Sequence, residues 1–384
     1  MERLRELDGL RAFALFGILT VNIWYFADPW AFAGDLSPDH SSPSDIAVRF
    51  IVTMLFEGKF YILFAFLFGY GFALQERAAV RAGEPLGPRM LRRLAGLALL
   101  GLAHGFLLFF GDILFTYAVM GVVLFSVRAI RARTAVLIAA GITVSMSLLL
   151  TLVGAFVAVV DDPVGDGVIP APSVAALTAG PGSALATNVE NYLIALPSVM
   201  LFQGPLSLAM FLLGLAAARR KTLERPISSS TLRRIAIICL PIGLFAAGAQ
   251  SALLHYVDRD RFSLVSTGIT TLTAPLQTAG YVCLLLLAFR SPPGQAVLGA
   301  LAPAGRMALT NYLGQSLVLV IVFTGVGFGL TNVLPPAQVM VVVVVLFGAQ
   351  LVLSRFWLSR FGIGPMEALL RRVTYPGRER KPPA

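Results

Sequence analysis

Charge is scarce in this chain. Asp, Glu, Lys and Arg make up 13% of its 384 residues while 57% are hydrophobic, a balance too apolar to cover a soluble surface. A soluble enzyme and a disordered tail are both excluded, and a polytopic membrane protein remains. Cysteine is nearly missing: Cys239 and Cys283 each stand inside an apolar run, which excludes a disulfide framework and a thiolate metal site. His40, His104 and His255 are too scattered in sequence to form a metal cluster, so no metal is expected. The net charge of +10 invites a nucleic-acid reading. The basic residues, however, fall in short clusters between apolar runs without interleaved stacking aromatics. Lipid head groups and membrane topology account for them, and no nucleic-acid partner is expected.

What is present is a series of apolar runs. About 20 apolar residues cross a hydrocarbon core, and ten runs qualify, near residues 11–27, 50–74, 94–110, 113–127, 134–160, 192–218, 235–256, 264–289, 307–330 and 335–356. The pattern predicts an all-α polytopic membrane protein of about ten transmembrane helices, with residues 1–364 as one helical domain in the lipid bilayer. Cytoplasmic loops carry an excess of Lys and Arg, and the segments that share a side with the termini hold 26 of the 30 basic residues. Both termini are therefore expected in the cytoplasm. The third and fourth runs are joined by little more than Gly111-Asp112. One helix over 94–130 would be about 55 Å long at 1.5 Å per residue and would part Arg92-Arg93 from Arg128, so a tight hairpin is expected. Ala31-Phe32-Ala33 resembles a signal-peptide cleavage site, yet the preceding run is long for one and nine more follow, so it is read as a retained span. Residues 28–49 and 161–191, rich in Pro, Ser, Gly and Asp, read as outer loops. Met366, Leu369, Leu370 and Val373 share a helical face opposite Glu367 and Arg371, which predicts a short interfacial helix over 365–374 ahead of a basic tail to 384.

An ionisable group inside a bilayer is costly, so each one is a functional candidate. His104 lies about ten residues into the third run, roughly 15 Å along it, with Gly101 and Gly105 beside it. Its imidazole can take and return a proton, as acyl transfer to a hydroxyl or amine requires; the competing reading is a bond between helices. Asp112 would stand about 12 Å from His104 on a continuous helix. It supports the histidine only if the chain reverses at Gly111, and otherwise reads as a turn residue. Glu57 and Lys59, taken as helical, point about 200° apart, so each needs its own partner. Glu57 could orient a histidine or hold an acceptor hydroxyl, or simply mark a solvated helix entrance. Asp8 and Arg11 either neutralise each other at the interface or present Arg11 to the phosphates of a donor. Asn311, Gln315 and Ser316 form a polar stripe that lines a cavity or joins helices.

These residues resemble a known family. Leu7-Asp8-Gly9-Leu10-Arg11 with Asn22, Glu57-Gly58-Lys59-Phe60 with Leu67-Phe68-Gly69-Tyr70-Gly71, and His104 with Gly111-Asp112-Ile113-Leu114 are three blocks of it. Thr310-Asn311-Tyr312 with Gln315-Ser316, and Trp357 with Gly364-Pro365 and Glu367, complete the set. Spread in order over the whole chain, the five blocks look like the YeiB-like family of bacterial inner-membrane proteins. That family is grouped with transmembrane acyltransferases, similar to the lysosomal heparan-glucosaminide N-acetyltransferase and the acyltransferase-3 enzymes. The resemblance implies an inner-membrane location, a cytoplasmic acyl-CoA donor, no metal, and a glycan, lipid-linked or small-molecule acceptor. In acyltransferase-3 enzymes an Arg is followed after ten residues by a catalytic His; here Arg11 is followed by Asn22. The histidine role must then move, to His104 first or to His40 in the first outer loop second. The expected site is therefore His104, Glu57, Asp112 and His40 for catalysis. Arg11, Asp8, Arg92 and Arg93 are expected at the donor, and Asn22, Lys59, Asn311 and Gln315 at the substrate. The alternative is a transporter or flippase in which the same residues line a path, although no internal repeat is evident.

Overall fold

The computed structural model describes residues 5–33, 37–83, 85–159 and 173–375. Helix starts follow the capping rules. Ser42, Ser173, Ser228, Ser291 and Asp258 each accept a backbone N–H from the first turn they precede, satisfying a donor the helix itself leaves open. The first half of the chain forms α1 (Arg5–Asn22), α2 (Trp24–Ala27), α3 (Trp30–Ala33), α4 (Pro43–Leu55), α5 (Phe60–Arg81), α6 (Leu86–Leu107), α7 (Leu114–Ser126) and α8 (Ala132–Val159). The second half forms α9 (Val174–Thr178), α10 (Pro181–Ser198), α11 (Gly204–Arg219), α12 (Ser229–Ala252), α13 (Arg259–Ala288), α14 (Pro292–Arg306), α15 (Ala308–Phe323), α16 (Pro336–Phe361) and α17 (Pro365–Thr374). No strand occurs among the described residues.

Among the described residues, eight helical segments are long and apolar enough to cross a membrane. A ninth candidate is the pair α14 and α15, bent by 79° at Met307, and α7 is a shorter apolar helix. The chain is thus all-helical and multi-pass. Each of the ten apolar runs falls on helix, but several differ from a single straight rod, the sixth being shared by α10 and α11 across a π turn over Val199–Gln203. The second run is two helices, because Gly58 at φ +80°, a left-handed conformation that favours glycine, opens a turn over Phe56–Lys59. Glu57 and Lys59 therefore sit on a turn and not on a helix face. The ninth run loses its end, since α15 stops at Phe323, and gains α14, a helix where the sequence suggested a loop.

Burial sorts the helices. The apolar window of α1 is 67% buried and that of α8 only 17%, so α1 is core while α8 faces lipid. The lipid-facing surface is apolar throughout, with Phe156, Phe245, Val344 and Val352 exposed on α8, α12 and α16, as expected where the solvent is hydrocarbon. At the centre α5 and α11 cross closely. A Cβ on Gly214 would lie 2.1 Å from the Phe66 carbonyl oxygen, so only glycine lets these backbones meet.

At one end of the bundle α17 docks against α6 through Leu370 and Val373 at Gly96. Its Glu367 closes the broken span. Oε1 accepts the Leu309 and Thr310 backbone N–H groups at 2.8 and 3.1 Å, and Oε2 accepts Thr310 Oγ1 at 2.6 Å. A carboxylate at a helix N-terminus satisfies orphan donors and complements the dipole.

Near the same loops, Glu224 joins α5 to the segment between α11 and α12. It accepts from Arg77 and from Tyr70 Oη, and the Arg77 guanidinium holds its carboxyl below the usual range. A depressed carboxylate pKa contributes stability above the unfolded value that is lost as pH falls through the folded one. Thermal melts in detergent from pH 7 to 3 are expected to show a steeper acid loss for the wild type than for Glu224→Gln; parallel curves would refute the assignment.

Candidate active site

The α6–α7 hairpin builds the site. His104 is 2% exposed, and three residues beyond it α6 ends. The Leu108 and Phe109 N–H groups both bond the His104 carbonyl at 2.9 Å, and the chain reverses. The reversal carries Asp112 back to His104, with Oδ1 at 2.8 Å from Nδ1, a contact that a continuous helix forbids. The other carboxylate oxygen accepts the Phe115 N–H at 2.9 Å, so Asp112 also serves as the hairpin's turn residue. A Cβ on Gly101 would stand 2.3 Å from Phe115 N and 2.9 Å from Asp112 Oδ2. Glycine is what admits the start of α7 there.

From α15, Ser316 Oγ lies 2.8 Å from His104 Nε2. Ser316, His104 and Asp112 are 3%, 2% and 1% exposed, a relay of hydrogen bonds sealed among helices. Ionised Asp112 is acceptor-only, which assigns the imidazole proton to Nδ1 and leaves Nε2 to accept the Ser316 hydroxyl. This arrangement can deprotonate a hydroxyl and stabilise the imidazolium that results. Aromatic rings enclose it: Tyr312 with its centroid 5.0 Å from the imidazole, and Phe109 at 6.1 Å. Ser316 belonged to the polar stripe, but nothing local marked it as the partner of a residue 212 positions away.

The remaining candidates lie elsewhere. Glu57 is exposed on its turn, within electrostatic range of Arg49 and Lys59. Lys59 is 1% exposed and donates from Nζ to the Thr53 carbonyl at 2.9 Å. His40 faces the Asn332 carbonyl at 3.2 Å through Nε2, tying the segment before α4 to the α15–α16 connection. Asn311 donates to the Ala304 carbonyl and Ser354 Oγ, and Gln315 donates to Gln350, so both join α15 to its neighbours. Asn22 ends α1 half-buried. Asp8, 2% exposed, takes a hydrogen bond from Arg11 at 2.8 Å. Arg93 is half-buried close to Arg11 and Arg89, while Arg92 is exposed. No group of three or more metal-ligating side chains occurs among the described residues.

A narrow cleft of about 490 Å³, open side included, begins one helical turn beyond the relay, lined in part by Leu108, Val320 and Asn191. Replacing Gly101 by Ala is expected to lower the melting temperature, because the added carbon collides with backbone. Gly141→Ala, where nothing lies within 4 Å, is expected not to. Equal effects would sink the argument from close approach.

Comparison with known proteins agrees over nearly the full length. Residues 217–377 match the family described as "Protein of unknown function (DUF418)", a segment that contains Ser316 but neither His104 nor Asp112. The uncharacterized protein YxaH of Bacillus subtilis (strain 168) is 32% identical over 97% of this chain and 94% of its own. YeiB of Escherichia coli (strain K12), also uncharacterized, is 30% identical over 97% of both chains. An uncharacterized 39.9 kDa protein from Bacillus acidopullulyticus is 26% identical over 97% of this chain and 94% of its own. No solved structure matches. Full-length similarity at this level makes the chain a member of the family of YxaH and YeiB.

Proposed function

We propose that the protein is an acyltransferase of the bacterial inner membrane with both termini in the cytoplasm. It moves an acyl group, acetyl in the simplest case, from cytoplasmic acyl-CoA to a hydroxyl or amine on a glycan, lipid-linked or small-molecule acceptor. The topology follows the distribution of basic residues, with α6 and α7 as the third and fourth of ten crossings. The observation that carries the chemistry is the Ser316–His104–Asp112 relay, because two helices can be joined by a single neutral hydrogen bond, whereas a carboxylate behind an imidazole is costly to bury and is suited to proton transfer.

The reaction runs in two steps. Ser316 Oγ attacks the thioester carbonyl carbon as its proton passes to His104 Nε2; the C–S bond breaks and the CoA thiolate leaves with that proton. The acceptor hydroxyl or amine then attacks the acyl-serine carbonyl, giving its proton to Nε2, and the serine oxygen leaves and recovers it. Asp112 holds the tautomer and orientation throughout. Arg11, Arg92 and Arg93 receive the donor's phosphates, with Asp8 fixing Arg11. Arg93 stands eleven residues before His104 on α6, about 16 Å away, so the donor's long thiol arm bridges the gap.

The bend of 79° between α14 and α15 favours a second reading. Transporters use such broken helices around a substrate path, and His104 with Asp112 would then carry a proton.

Calorimetry of acetyl-CoA on purified, folded protein separates the two. Saturable binding that weakens in Arg11→Ala is expected; no binding of acetyl-CoA or longer acyl-CoAs would favour the transporter. His104→Ala should abolish transfer with insertion intact. Asp112→Asn should lower kcat by roughly 10³-fold or more through loss of the tautomer, and Ser316→Ala should remove the acyl-enzyme mass increment. Full activity in His104→Ala would overturn the mechanism.

A further inference from the structure

The cleft beside the relay opens sideways. Leu107, Leu185 and Val326 at its mouth are 58%, 41% and 44% exposed, and they continue the apolar surface that faces lipid. Inside, Ala184 and Val320 are buried, and so is Asn191, whose Nδ2 has no hydrogen-bond partner. A buried amide donor without an acceptor is uncommon, and here it stands in the wall of a mostly apolar cleft whose other polar lining residues include Asn188 and Thr324, both already bonded to backbone carbonyls. The geometry of such a place suits one occupant: an apolar chain that carries an oxygen acceptor near its head.

The cleft also adjoins the chemistry. Leu108 follows His104 by one turn and bonds its carbonyl, and Val320 follows Ser316 by four residues, about 6 Å of helix rise. Next to Asn191, Tyr192 lies against Gly105 and within electrostatic range of Asp112. The arginines assigned to the donor stand at the opposite end of α6, so the donor's phosphates lie away from this cleft.

We infer that the acceptor is a membrane lipid that enters this cleft sideways from the bilayer, its chain between α10 and α15, its head oxygen on Asn191 Nδ2, and its hydroxyl or amine turned to Ser316 and His104. The assignment of the lipid as acceptor rests on the acyl-transfer reading; the occupancy of the cleft by lipid does not.

Photolabelling tests the occupancy directly. The full chain is placed in nanodiscs of phosphatidylethanolamine and phosphatidylglycerol containing a trace of phosphatidylethanolamine with a diazirine on one chain, irradiated, and mapped by peptide mass spectrometry. Adducts on residues 181–191 and 320–326 are expected to exceed those around Phe245, which is 81% exposed on α12. In Ala184→Trp, which fills the cleft, the cleft adducts should fall several-fold while those near Phe245 stay constant. If that variant fails to fold, Val326→Trp at the rim serves the same purpose. Labelling in proportion to exposure, unchanged by either substitution, would mean surface lipid only and would overturn the proposal. His104→Ala should keep the labelling while losing transfer. Labelled cleft without transfer from any acyl-CoA in the wild type would discard the acyl-transfer reading and leave the lipid site standing. Transfer by an unlabelled cleft would do the reverse.

Discussion

A carboxylate among apolar helices has to find a donor for each oxygen, and much of this bundle is arranged so that Asp112 does. At 1% exposure it cannot rely on water, and an ionised group without partners there would destabilise the fold by several kcal/mol. One oxygen takes the imidazole N–H and the other the Phe115 N–H. Both bonds require α6 to stop at Leu107, the chain to reverse, and position 101 to lack a side chain. The hairpin that a sequence reader sees as a short loop is thus the means by which an acid and a base eight residues apart come into contact.

The far side of the imidazole depends on α15, and the bonds that hold α15 have little to do with the relay. Gln315 and Ser316 are neighbours, about 100° apart around the helix, so one can face α16 while the other faces α6. Gln315 and Asn311 bond Gln350 and Ser354, which fixes the rotation of α15, and Glu367 fixes its start. Together these contacts set where Ser316 Oγ arrives. Asn311 and Gln315 act on the relay only through the helix that carries them.

Much of the fold was legible because hydrocarbon imposes long apolar runs, and all ten runs are helical. The breaks were harder. Gly58 ends a helix by a left-handed turn inside an apolar stretch, which hydropathy does not register, so Glu57 and Lys59 were placed on a helix they do not share. α14 lies in the gap between the eighth and ninth runs, where hydropathy gives no signal, although its two opening prolines stand at the first helical positions, where proline favours a start. At the site, His104 stood out as a buried ionisable group and Asp112 stood out conditionally, on a chain reversal that the structure contains. Ser316 did not, because its role is created by a contact 212 residues long and a serine in a membrane helix is unremarkable by itself. Asn191 fell at the end of a stretch read as an outer loop and Tyr192 at the start of an apolar run, whereas α10 begins at Pro181 and carries both.

The relay is sealed, yet the proposed acyl transfer needs it to meet two substrates. On that proposal sealing has a use: an acyl-serine shielded from water would not be hydrolysed before the acceptor arrives, and the hydrogen bonds around it would act at low dielectric. The question is which wall gives way. α6, α7 and α15 are fixed by the relay itself and by α16 and α17. α10 is held differently. Among the described residues its side-chain hydrogen bonds to α6 are the two that Asn188 donates to the Gly105 and Phe106 carbonyls at 2.9 Å, groups that the end of α6 leaves open. Tyr192 contributes packing against Gly105 and Phe106 without a hydroxyl bond. Pro197 and a π turn over Val199–Gln203 then interrupt the path into α11, and both are features at which helices bend. A small rotation of α10 at that junction would break two hydrogen bonds and widen the cleft towards Asp112 while leaving the catalytic contacts in place. On the acyl-transfer proposal, α10 is therefore the wall through which a substrate would enter.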